Sequence, residues 1–159
     1  MTTLALLVAV GMILSYIESL VPPLVAVPGV KLGLSNIATV FALYALGVPS
    51  AVSVSLLRVC LSALLFGNSV SFIYSLSGAV LAILFMALLR KVGLFSAVGV
   101  SVVGGVAHNA GQVLAAVLVM ENAAISYYLI PLAVSGTLAG VAVGIAAGIL
   151  VVKLKKHIT

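Results

Sequence analysis

Aspartate and tryptophan are absent from this chain of 159 residues, and cysteine occurs once. Each absence excludes something. There is no GxxxxGK[ST] phosphate loop, so the chain does not hydrolyse ATP by that route. No nucleophile, base and acid come together as a set that would run covalent or acid–base catalysis. The single cysteine, Cys60, lies in an apolar run, so an intramolecular disulfide is impossible and the redox compartment is not legible. His108 and His157 are the only histidines, and no Cys–His spacing resembles a zinc set. Neither a metal nor a cofactor is expected. Charge is scarce too: 6% of residues are charged, where a soluble domain carries about a quarter.

What fills the chain instead is hydrocarbon. Hydrophobic residues make up 65% and the mean hydropathy is +1.48, the composition of an integral membrane protein. Fifteen glycines suit helices that pack closely in lipid. The net charge of +5 would suggest nucleic acid in a soluble protein. Here the cations are few and sit mostly at helix ends, so they read as topology signals and no nucleic-acid partner is expected. The N-terminus lacks a basic n-region and a small-x-small cleavage pattern before Glu18, which predicts a retained membrane helix.

A spanning helix needs about 20 apolar residues. The first candidate, Leu4 to Leu20, is ended by Pro22-Pro23. The second, Leu34 to Leu46, would be only about 20 Å long against a core of about 30 Å. Starting it at Val30, after Pro28-Gly29, brings it to about 25 Å and draws Lys31 and Asn36 into the outer part of the bundle. Gly47 stops it, and Pro49 opens a third span reaching Phe66. A fourth runs from Val70 to Leu89. The fifth, Leu94 to Met120, is longer than needed and so tilts, or bends at Gly104-Gly105. The sixth covers Tyr127 to Val152. The expectation is an all-α, six-helix membrane bundle forming one domain over residues 1–159.

With six spans both termini share a face with Arg90, Lys91, Lys153, Lys155 and Lys156. The positive-inside rule then puts that face and both termini in the cytoplasm. The stretch Pro22–Asn36, PPLVAVPGVKLGLSN, falls on the outer side. Polar, irregular backbone at that point reads as a re-entrant loop that helps form and cover a ligand site. On the last span Gly136, Gly140, Gly144 and Gly148 recur every four residues, a small face for close helix approach.

Arg58 is the most informative side chain. A charge near the bilayer centre costs at least about 2.5–3.5 kcal/mol, so it faces the bundle interior with a partner or a ligand. Ser55 and Ser62 share its helix face. The alternative is an arginine that only ties helices together, through backbone carbonyls or Glu18. The fifth span carries a second stripe: Gly104, His108, Gly111, Gln112 and Ala115, with Asn109 alongside. An imidazole and an amide can hydrogen-bond a polar ligand without a fixed charge, or they can bond between helices. Tyr74, with Ser71 and Ser77, gives the fourth span a milder polar face. Tyr127 and Tyr128 read as interfacial anchors. Glu18 and Glu121 read as solvated carboxylates at outer helix ends. Lys31 either snorkels outward or neutralises an anionic group. The candidate binding residues are therefore Lys31, Asn36, Arg58, Tyr74, His108, Asn109 and Gln112.

Two segments carry a family resemblance: Ala5-Leu-Leu-Val-Ala9 in the first span, and PGVKLGLSNI from Pro28 to Ile37. With them the chain resembles the Gx transporter family, also labelled heptaprenyl diphosphate synthase component I. Over essentially its whole length it is similar to the substrate-binding S components of energy-coupling-factor transporters. That resemblance implies capture of a small nutrient or cofactor precursor from outside. It also implies docking through Ala5 and Ala9 on a membrane coupling subunit that works with ATP-binding subunits. The second label implies polyprenyl diphosphate synthesis. Trans-prenyl synthases hold magnesium diphosphate with DDxxD motifs, so a chain without aspartate could serve there only as a membrane accessory subunit. A purely structural protein would leave Arg58 and the His108 stripe without a role.

Overall fold

Nineteen residues at about 1.5 Å each make a helix close to the hydrocarbon thickness of a bilayer, and the first apolar run forms one, α1 (Thr2–Leu20). The computed structural model describes residues 2–20 and 33–154. After α1 come α2 (Asn36–Ala45), α3 (Val48–Phe66), α4 (Ser69–Val92), α5 (Ala97–Met120) and α6 (Leu129–Leu154). A 3-10 helix, Ala123–Tyr128, leads into the last of these. Among the described residues there is no β-strand. Five helices among the described residues are long and apolar enough to cross a membrane, the last counted from Ala123, and α2 is a shorter apolar helix. The protein is an all-α membrane bundle.

The helix ends follow local chemistry. Gly47 takes a φ of 101°, open to glycine, and Pro49 follows in the first turn of α3, where its missing N–H costs nothing. The Asn68 side chain accepts the Ser71 N–H at 2.7 Å and caps α4, and the Ser96 hydroxyl accepts the Gly99 N–H at 3.2 Å and caps α5. Arg90 and Lys91 lie in the last turn of α4, where cations favour the helix dipole. α5 runs without interruption through Gly104 and Gly105. Those glycines serve packing: a Cβ on Gly105 would meet the Gly136 carbonyl at 2.4 Å, and one on Gly104 the Met86 sulfur at 2.5 Å.

The small face of α6 meets α5. A Cβ on Gly140 would lie 2.6 Å from Val102 Cα, and one on Gly144 2.6 Å from Val98 Cα, so the two helices run antiparallel with backbones nearly touching. Gly78 and Gly111 bring α4 against the other side of α5 in the same way. The alternation sets the C-terminal ends of α4 and α6, with Arg90, Lys91 and Lys153, on one face and Glu121 on the other.

The second span departs from expectation. It starts at Asn36, not at Val30: Gly33 adopts a φ of 89°, Leu34 and Ser35 form a turn, and the Asn36 N–H donates to the Gly33 carbonyl at 2.9 Å. The resulting ten-residue helix is about 15 Å long, half a bilayer. It is buried nearly all round, as a short helix enclosed by others must be, with Ala38, Thr39, Val40, Phe41, Ala42 and Leu43 all in the core. α1, α3 and α6 enclose it. Its N-terminus therefore ends inside the bundle.

Candidate functional site

Arg58 is the eleventh residue of α3 and lies about 15 Å along it, level with the N-terminus of α2. Its side chain is 4% exposed. The aliphatic stem runs over Gly11 of α1, where a Cβ would come within 2.9 Å of Arg58 Cδ. The guanidinium then spreads over three neutral acceptors. Nη1 donates to Ser15 Oγ of α1 at 3.1 Å and to Ser35 Oγ, and Nη2 donates to Asn36 Oδ1 at 3.4 Å. One arginine thus fastens α1, α3 and the start of α2 together.

Glu18 belongs to this centre. The expectation of a solvated carboxylate fails: Glu18 is 5% exposed, and its Oε1 accepts the Gly33 N–H. That bond holds Gly33 in the left-handed turn that starts α2 late. The Glu18 charge also acts on Arg58 through the protein interior. Val8, Gly11, Ser15 and Glu18, the buried residues of α1, alternate three and four apart, so one stripe of α1 faces the bundle. Ser15, Ser35 and Glu18 were not singled out as site residues. For Ser15 and Glu18 the signal is that stripe, small and polar in a greasy helix; Ser35 lies at the N-cap of α2, outside it.

Arg58 also lines a cavity of about 10 Å³, the lower limit for one water. Ser15, Ser62, Ser71 and Ser75 line it with Arg58. Arg58 Nε and Ser62 Oγ are buried without a hydrogen-bond partner among the described residues. A second cavity of about 10 Å³ is walled by Gly33, Asn36, Ser101, Gly104 and Gly140. Asn36 lines this second cavity and accepts from Arg58, which lines the first.

The candidate residues of α5 face different helices. Asn109 turns to α6 and donates to the Leu132 carbonyl at 2.6 Å. His108 turns to α4, where a Cβ on Gly78 would lie 2.9 Å from the imidazole Nδ1. Gln112 is 0% exposed, and neither amide atom has a hydrogen-bond partner among the described residues. Such a group costs about 1–3 kcal/mol and calls for an explanation. Tyr74 lies in an apolar cluster with Val113, Ala116, Ile125 and Leu132. The structure thus joins Arg58 directly to Asn36, while His108, Asn109, Gln112 and Tyr74 sit on α4 and α5 outside the lining of the Arg58 cavity. Lys31 and most of the Pro22–Asn36 stretch lie outside the described residues. Ala5 and Ala9 are both exposed, one turn apart on α1, away from the buried stripe.

Among the described residues no group of three or more His, Cys, Asp or Glu could hold a metal ion. What the centre offers is a guanidinium, hydroxyls and one amide midway along α3, groups able to hydrogen-bond anionic or carbonyl oxygens. A family model described as heptaprenyl diphosphate synthase component I matches residues 7–150. No curated protein and no solved structure matches the chain.

Proposed function

This chain belongs to the heptaprenyl diphosphate synthase component I family, and we propose that it is the ligand-capturing membrane component of an energy-coupling-factor-type importer. It takes up a small nutrient or cofactor precursor from outside and hands it to an ATP-driven coupling module. The observation that carries this reading is the Arg58 centre: a buried guanidinium midway along α3 that donates to Ser15, Ser35 and Asn36, with Glu18 nearby, at the start of a half-length helix. Broken helices whose N-termini stop inside the bundle are a recurrent way to place a binding site in a transporter. The chain itself catalyses nothing. Energy comes from the ATP-binding subunits, which act through a membrane coupling subunit seated on the exposed Ala5 and Ala9. The protein sits in the cell membrane with both termini cytoplasmic, on the side of Arg90, Lys91 and Lys153.

The family description favours a second reading, an accessory membrane subunit of heptaprenyl diphosphate synthesis. Co-purification separates the two. Recovery of coupling and ATPase subunits supports the importer, and recovery of a soluble prenyl synthase supports the accessory subunit. Ala9→Trp adds a bulky side chain to the small exposed patch, so it should abolish capture of the coupling subunit while ligand binding by the isolated protein persists.

A further inference from the structure

We propose that the ligand of the Arg58 site is an amphiphile, whose anionic head sits among Arg58 and the serine hydroxyls and whose apolar chain lies in the groove between α3 and α4. The proposal rests on the reading of Arg58 as the ligand-binding centre and names the chemical class bound there.

Two adjoining spaces carry it. The polar one is lined by Arg58 and four serines, Ser15, Ser62, Ser71 and Ser75, and by no carboxylate. A guanidinium and rotatable hydroxyls can all donate to an anion. Arg58 Nε and Ser62 Oγ, one helical turn apart, have no partner of their own among the described residues. The largely apolar space is an open groove of about 620 Å³ on the outer surface of the same helices, walled by Cys60, Leu64 and Ile73, with Asn68 and Ser69 at its turn end. Ala63, Gly67 and Phe72 line both spaces.

That shared wall is thin. At the C-terminal end of α3 it consists of the Ala63 methyl group and the capping Gly67. Gly67 cannot be larger, since a Cβ there would lie 2.8 Å from Ala63 Cα. On α4 it is the half-buried Phe72 ring. Seating a carboxylate or phosphate requires that ring to swing and α3 and α4 to part slightly, because the polar cavity holds about 10 Å³ as it stands. A free anion would use the cavity alone, and a neutral lipid would use the groove alone. Only a molecule with both parts fills both.

The test uses the full chain in nanodiscs of zwitterionic lipid. The probe is dodecyl phosphate carrying a photoreactive diazirine on its chain, with the dodecyl alcohol analogue as the neutral control. Labelled peptides are mapped by mass spectrometry. The phosphate probe should label residues 60–73 about tenfold more than the alcohol. Ala63→Phe, which thickens the wall, and Arg58→Met should each bring labelling down to the level of the alcohol. A large excess of inorganic phosphate should not compete. Equal labelling by the alcohol means ordinary boundary lipid and overturns the proposal. Displacement by inorganic phosphate means a free small anion and also overturns it. If Arg58→Met fails to fold, Ala63→Phe and Ser62→Ala carry the test, and unchanged labelling in both overturns it. The two readings fail separately. Loss of the co-purifying ligand in Arg58→Met without head-dependent labelling leaves the site standing and removes the amphiphile. A variant that keeps both removes both.

Discussion

Replacing Gln112 with methionine sets stability against function. Both amide atoms of Gln112 are buried without a hydrogen-bond partner among the described residues, and the side chain is 0% exposed. A buried polar group left unsatisfied costs about 1–3 kcal/mol. Methionine has similar length, carries no strong donor or acceptor, and adapts to irregular space. In ligand-free protein Gln112→Met should therefore raise the unfolding free energy by about 1–3 kcal/mol. The shift is read from denaturing-detergent titrations in mixed micelles, with helical circular dichroism as signal. If the amide is kept for a ligand, affinity for that ligand should fall about tenfold, or about 1.4 kcal/mol. A variant less stable than the wild type by about 1 kcal/mol would refute the reasoning, since it would mean that the folded protein satisfies the amide. A stabilised variant with unchanged affinity would place Gln112 outside the site.

Other outcomes follow from the packing and the charge pattern. Gly140→Ala puts a methyl 2.6 Å from Val102 Cα, backbone against backbone, and should cost about 1–3 kcal/mol in the same titration. Gly148→Ala meets only the Ala97 methyl at 4.0 Å and should be nearly neutral. In a Cys60→Ser background, a cysteine at exposed Ala123 should react with an impermeant thiol reagent on intact cells, and one at exposed Leu94 should not, because the basic helix ends set the inner face. Labelling of Leu94→Cys alone would invert the topology.

Much of the fold was legible because the sequence punctuates its helices chemically. Gly47 and Pro49 mark the start of the third span by mechanisms that act within a few residues, and the structure uses both, whereas the Ser96 cap that starts α5 at Ala97 rather than Leu94 was not read. The late start of α2 was not legible. It depends on Glu18, fifteen residues before Gly33, reaching that N–H through the bundle interior, and a local apolar count cannot see it. The same long-range contact is why Glu18 read as a solvated helix-end carboxylate. Arg58 stood out in the sequence because a mid-membrane cation is costly anywhere. Its partners did not, since serine is common in membrane helices. On α5, Asn109 lies alongside the His108–Gln112 stripe and not within it, since neighbouring residues point about 100° apart on a helix. His108 and Asn109 accordingly meet α4 and α6 respectively. The glycine ladder of α6 announced a close contact, but only the fold names α5 as the helix that makes it.

The central claim is that Arg58 holds a ligand within the membrane. Its most direct test is mass spectrometry of small molecules released from the purified protein, wild type beside Arg58→Met, at matched folded concentration. The account predicts one compound with an anionic or carbonyl-rich group, stoichiometric with the wild type and reduced about tenfold or more in the variant. A well-folded Arg58→Met that releases the same compound in the same amount would contradict it, and would leave Arg58 as the tie between α1, α2 and α3.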